Sequence, residues 1–166
     1  MQNLVDNRRR ACYKLIMANA KANQRLGYLP CADTRPPKVA CGRRIRSSIN
    51  AYEAANAEIG GLAQEAFLVL LLNSKHQVIR PVITAVGTLA SVDVHPRETF
   101  REAVRHSAAA VIVAHNHPSG DAEPSGDDLA LTARLRDAGN LLGIPVLDHI
   151  IVGDERFVSL ADRGLL

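Results

Sequence analysis

Two kinds of apolar pattern alternate along this chain. EAFLVLLLN, residues 65–73, is almost continuously apolar with one acid at its entrance, which predicts a buried strand. Ser74 to Gln77 make a turn, and VIRPVITAV, residues 78–86, returns as a partner strand. Pro81 cannot donate to a strand ladder, so it predicts an edge position or a bulge there. After a turn at Gly87-Thr88, RETFREAVRHSA carries Phe100, Ala103 and Val104 at helical spacing, with Pro96 in the first turn behind His95. AAVIVAH, residues 109–115, predicts another buried strand. Residues 125–142 predict a helix with Leu129, Ala133, Leu135 and Leu142 for its inner side and Gly143 just past its end. IPVLDHIIVG reads as a further strand and RFVSLA, residues 156–161, as a last short one. Strands interleaved with helices predict an α/β fold, a mixed β-sheet flanked by helices.

Upstream the pattern weakens. Residues 8–26 predict a helix that stops near Gly27, and the Pro-rich, aperiodic stretch from Tyr28 to Gly42 predicts a linker. A second helix is expected from Arg44 to Ile59, closed by Gly60-Gly61. The chain therefore divides into a basic helical extension and linker, residues 1–61, and a compact domain, residues 62–166. Net charge is only +3, but it is unevenly placed: Arg8, Arg9, Arg10, Lys14, Lys21, Arg25, Arg35, Lys38, Arg43, Arg44 and Arg46 face only Asp6 and Asp33. That arm reads first as a solvated segment, and residues 8–46 also offer a surface for nucleic acid or an acidic partner.

Composition narrows the class further. Aromatic residues make up 4% with no Trp, so the core must be built from Ala, Val, Leu and Ile. No apolar stretch is long enough to span a bilayer, and the first twenty residues lack the apolar core and cleavage site of a signal sequence. Cys12, Cys31 and Cys41 are odd in number and form no CxxC pair, which argues for a reducing compartment and against a disulfide framework or a Cys-based zinc site. The expectation is a cytoplasmic bacterial protein with no membrane contact.

The chemistry concentrates in VIVAHNHPSGDAEPSGDD. On an extended strand end, residues i and i+2 face one side, so His115 and His117 can aim both imidazoles at one point with Asn116 turned away. Two neutral imidazoles at roughly 2 Å from a common ion are typical of zinc ligation, and one oxygen ligand more would leave a position for water. Asp128, in the first turn of the following helix, is the obvious third ligand, and the Pro/Gly-rich loop can fold that helix start back over the strand end. Ser125-Gly126-Asp127-Asp128 is equally a good helix N-terminus, with Ser125 as cap and Asp128 completing a capping box. The two roles are compatible, since a cap also fixes where Asp128 points.

His115-x-His117, seven residues, Ser125, two residues, Asp128 meets the JAMM spacing of JAB/MPN metallopeptidases. Together with HPRETFREAVRHSAAAVIVAHNHPSGDAEPSGDD and LLGIPVLDHIIVG, residues 62–166 resemble the RadC branch of that family. The helix-hairpin-helix module of longer RadC relatives has no convincing copy here, so the chain looks like a short form. The resemblance implies a JAB/MPN, cytidine-deaminase-like fold and one Zn²⁺ per chain held by His115, His117 and Asp128 with a water in the fourth position. It also places the family's catalytic glutamate at Glu65, an acid that heads an otherwise apolar strand and that burial would penalise without a partner. The ion would lower the water's pKa towards roughly 7. Glu65 would take its proton and pass it to the leaving amine, and Ser125 would donate to the oxyanion, a contribution of about 3 kcal/mol. The implied substrate is a protein or peptide, cut at a peptide or isopeptide amide.

Other histidines carry less weight. Asp148-His149 on the later strand reads as hydrogen-bonded core in preference to a support for the metal, His95 as a loop residue, and His76 and His106 as surface. An HNH nuclease would place its histidines on different elements, and a zinc deaminase would need H-x-E and P-C-x-x-C, which this chain lacks. The rival from another class is a DNA-repair-associated or protein-binding module with little turnover. The basic arm favours that rival, and the complete Glu65, His115, His117, Ser125, Asp128 set opposes it.

Overall fold

The two continuous apolar runs form the centre of the sheet. In the computed structural model, which describes residues 38–87, 94–154 and 156–166, β1 (Ala66–Leu72) and β3 (Ala110–Asn116) are buried at every position. They pair antiparallel, Phe67 opposite His115 and Leu72 opposite Ala110. β2 (Val78–Val86) lies outside β1, β4 (Val146–Val152) runs parallel to β3, and β5 (Phe157–Ser159) closes the far edge. The order β2-β1-β3-β4-β5 is a mixed five-stranded sheet. Pro81 sits on the edge strand β2 opposite Leu70, where its missing N–H breaks no ladder on the outer side.

Helices cover both faces. On one side α1 (Ser48–Ile59) packs Ala51, Ala54, Ala55 and Ile59 against Leu68, Leu70, Leu72, Ile112, Ala114 and Ile150. On the other, α2 (Pro96–Arg105) and α3 (Gly126–Leu142) bring Phe100, Ala103, Leu131 and Leu135 onto Phe67, Val69, Leu71, Val111 and Val113. Burying a large side chain contributes roughly 1.5–3 kcal/mol, so the mostly aliphatic layers on the two faces of β1 and β3, with Phe67 and Phe100 in one of them, dominate stability. α1 lies before residue 62, and its inner residues share an apolar cluster with the sheet.

Several boundaries and faces differ from the sequence reading. α1 begins at Ser48, not Arg44, because the Ser47 side chain caps it by accepting from Asn50 N, while Arg44 forms an isolated bridge with Gln77. Val104 is 57% exposed; only Phe100 and Ala103 of the three expected residues face in. On α3 the buried residues are Leu131, Thr132, Leu135 and Gly139, while Leu142 is half-exposed, so the inner stripe is rotated from the one expected. Gly143 ends that helix in the left-handed conformation, φ +68°, as its position predicted. The expected helix over 8–26, and the linker as far as residue 37, lie outside the described residues.

Candidate metal centre

β3 ends by delivering both histidines to one side. The ladder continues one step past the strand, with His117 N donating to Val152 O at 2.9 Å, so the backbone stays extended and the i, i+2 pair shares a face. The two rings lie 4.7 Å apart between centroids, and His115 Nε2 is 2.9 Å from His117 Nε2. His117 Nδ1 is 2.6 Å from Asp121 O. A carbonyl can only accept, so Nδ1 carries a hydrogen, and in the neutral ring the bare nitrogen is the Nε2 that faces His115.

Asp128 comes from the start of α3. Ser125 N and Ser125 Oγ donate to Asp128 Oδ2 at 2.7 and 2.6 Å, and Asp128 N donates back to Ser125 Oγ at 3.2 Å. This is a complete capping box. The other oxygen, Oδ1, stands 3.2 Å from His115 Nε2, and Oδ2 lies 3.7 Å from His117 Nε2. Cap and cluster member are thus both true of Asp128: Oδ2 caps the helix and lies near His117, while Oδ1 is left for His115. The loop between strand and helix is folded back by Ala122, which is buried against Ile151, Val158 and Leu160. Glu123 adds a two-pronged pair with Arg163 in the C-terminal turn, at 2.6 and 2.9 Å, on an exposed surface where such pairs contribute little.

Glu65 stands one residue before β1. Continuing the β1–β3 register by two residues from the Phe67–His115 pair sets it across from His117. Its backbone carbonyl accepts from Gly87 N at 2.8 Å. Burial raises its carboxyl pKa, and the fields of His117 and Asp128 act on it in opposite directions. Ser125 is exposed, with its hydroxyl hydrogen directed to Asp128.

The electrostatics of the cluster are consistent with a cation. Burial pushes His115 down to about 4, so it is neutral at ordinary pH. The Asp128 carboxylate raises His117. Burial alone would raise Asp128, but His117, His115 and the Ser125 hydroxyl and amide outweigh it and hold the carboxyl well below its usual range. His115 Nε2, His117 Nε2 and a carboxylate oxygen therefore converge, all within 4.8 Å of one another, and with His117 in its neutral form they are three electron-pair donors aimed at one point. Such a set is unfavourable unless a cation lies among the donors, and two imidazoles with one carboxylate suit zinc. The residues fit the ion that the resemblance implies.

Three supporting residues went unrecognised or were weighed differently in the sequence. Asn116 is indeed turned away from the cluster, and its carboxamide binds the chain around Glu65. His149, expected to be core, is fully buried but has Nε2 2.8 Å from His115 Nδ1. Thr132 touches His149 and the backbone of Asp128; its place one helical turn after Asp128 was the available signal. Asp148 behaves as expected: it accepts from Ser159 Oγ, His149 N and Ala161 N and holds the C-terminal turn. His95 caps α2 through Nδ1, accepting from Arg97 N at 3.2 Å.

The family profile of the RadC-like JAB domain matches residues 45–165. The chain belongs to the RadC-like JAB domain family. Its mixed sheet with helices on both faces is consistent with the JAB/MPN fold. Relatives include the UPF0758 protein of Geotalea uraniireducens, 49% identical over 123 residues, 74% of this chain and 54% of the relative. The UPF0758 protein of Desulforamulus reducens is 44% identical over 155 residues, 91% of this chain and 63% of the relative. That of Bacillus licheniformis is 45% identical over 152 residues, 90% and 67%. The chain thus spans only half to two thirds of the length of these RadC-like relatives. Among the described residues no helix is long and apolar enough to cross a membrane.

Proposed function

We propose that this RadC-like JAB domain is a zinc-dependent metallohydrolase of the JAMM type that cuts a peptide or isopeptide amide in a protein or peptide substrate, in the bacterial cytoplasm. The observation that carries the reading is the convergence of His115 Nε2, His117 Nε2 and Asp128 Oδ1. His115, His117 and Asp128 would hold the ion. When bound, zinc supplies Lewis acidity that makes water a competent nucleophile near neutral pH.

The remaining work falls to side chains of this chain. Glu65 acts as general base, and its raised pKa moves it towards the working range of such a group. It then returns the proton to the amine that leaves. Ser125, released from Asp128 by rotation of its hydroxyl, donates to the oxyanion. Asp121 O holds His117 in the tautomer that leaves Nε2 bare, so the donor set is preorganised.

The test has two arms. Purified protein should carry about one zinc per chain, and His117→Ala should abolish binding. Metal analysis of the unmutated protein that finds no zinc, after growth and dialysis with zinc present, would sink the metal reading. Glu65→Gln should keep the metal and lose amide hydrolysis; equal hydrolysis by the variant removes Glu65 from its role.

A further inference from the structure

His149 lies where the metal-site reading has no use for it, and the hydrogen atoms around it can be assigned by elimination. Thr132 Oγ1 is 2.6 Å from Asp128 O. The carbonyl only accepts, so the threonine hydroxyl donates there and has only lone pairs left for a second partner. That partner is His149 Nδ1, 2.6 Å away, which must therefore carry a hydrogen and donate it. His149 is 0% exposed, and among the described residues its ring meets no carboxylate, so it is neutral and its Nε2 is bare. Nε2 faces His115 Nδ1 at 2.8 Å, so His115 must donate from Nδ1. A neutral His115 with hydrogen on Nδ1 has only its lone pair at Nε2, the atom that faces His117 and Asp128.

We propose that Thr132 and His149 form a tautomer relay, running from the backbone carbonyl of Asp128 through two side chains, that keeps the His115 Nε2 lone pair turned to the metal. The relay rests on the metal reading above for its purpose, but not for its existence. It joins two ligands on different elements: Asp128 offers its carboxylate to the site and its backbone carbonyl to the far end of the chain that sets His115. Because the relay ends on a neutral carbonyl, it orients His115 without adding negative charge, which leaves a bound dication more electrophilic than a carboxylate support would. Thr132 and His149 are positioning residues; neither reaches the reacting atoms. Phe67 packs edge-on against His149, ring centroids 5.7 Å apart, and both rings are buried.

The relay predicts a state of the metal-free protein. Long-range ¹H–¹⁵N spectra of the metal-free protein at neutral pH should show both His115 and His149 with hydrogen on Nδ1. A hydrogen on Nε2 of either ring overturns the proposal. Thr132→Val keeps the shape but removes the lone pair that receives the His149 hydrogen. His149 should then move its hydrogen to Nε2, drive His115 into the Nε2–H form and weaken zinc binding by about 10- to 100-fold in a competition titration. Thr132→Ser, which keeps a hydroxyl at this position, should hold zinc affinity to within about 3-fold of the original. Unchanged tautomers and affinity in Thr132→Val, or a Thr132→Ser protein as weak as the valine variant, overturn the relay. If Thr132→Val fails to fold, the spectra of the unmutated and serine proteins decide. Should the spectra show the assigned tautomers while the unmutated protein takes up no zinc, the metal reading fails and the relay stands.

Discussion

Asn116 Oδ1 accepts the amide hydrogen of Ala66 at 2.8 Å, so the residue between the two histidines holds the strand that Glu65 heads. Its Nδ2 donates to Leu62 O and Gln64 O at 3.2 and 3.1 Å, which brackets Glu65 on both sides. The carboxamide is buried and all its contacts are backbone. Asn116→Ala leaves three backbone groups without a partner and should destabilise the fold by about 2–3 kcal/mol. Zinc content should be nearly unchanged, because no ligand moves. A variant of normal stability, read by urea titration, removes Asn116 from this role.

Gly153, the residue after β4, lies against the backbone of the site loop. A Cβ there would press into Gly120 O and lie 3.1 Å from Ala122 N, both backbone atoms that cannot step aside. That loop carries Asp121 O, which sets His117. Gly153→Ala should therefore cost about 1–3 kcal/mol through overpacking and also weaken zinc binding. Gly126→Ala, in the first turn of α3 with nothing near its Cβ, is the control and should be neutral or stabilising by about 0.5–1 kcal/mol. Equal effects of the two changes on zinc affinity would contradict the close contact at Gly153.

Acid should loosen the metal-free protein before its carboxylates titrate. His115 has a pKa of about 4 in the fold against an ordinary 6.5, so between those values the unfolded chain binds a proton that the folded one refuses. Its stability contribution is complete above pH 6.5 and falls as pH drops through 4, by up to about 3 kcal/mol. His149, also held neutral by burial, acts in the same direction. His117 and Glu65, raised in the fold, act oppositely and offset part of this loss. Urea midpoints in chelator should fall from pH 7 to pH 4.5; a flat or rising profile contradicts the neutral His115.

The two leucines that the helical pattern ranked alike on α3 should behave differently. Leu135 is fully buried and Leu142 is 49% exposed. Leu135→Ala should lower unfolding free energy by about 2–5 kcal/mol, whereas Leu142→Ala should stay within about 0.5 kcal/mol. Comparable losses at both positions, measured side by side, would show that the inner face has been misplaced.

The strands at the centre of the sheet were legible because a strand buried on both faces reads as a nearly continuous apolar run, as EAFLVLLLN and AAVIVAH do apart from Glu65, Asn73 and His115 at their ends. The caps were legible too, since Ser125, Gly143 and Pro96 act through local backbone geometry. Faces of the amphipathic helices were less so. Val104 and Leu142 are apolar and correctly spaced, yet about half of each lies in solvent, because only the docking of α2 and α3 on the sheet chooses which stripe is covered. His149 failed for the same reason: nothing near it in the chain announces His115, 34 residues earlier.

Alone, the sequence determined that His115 and His117 share a side and that Ser125 and Asp128 open a helix, because both follow from the periods of strand and helix over a few residues. Only the tertiary structure decided that Asp128, while Oδ2 caps the helix, turns Oδ1 to His115. It alone brought His149 and Thr132 together behind His115, and seated Asn116 against the backbone on both sides of Glu65. Those are contacts between elements. Their partners are set by strand order and helix docking, and hydrogen positions follow from which donors and acceptors the fold seals together away from water.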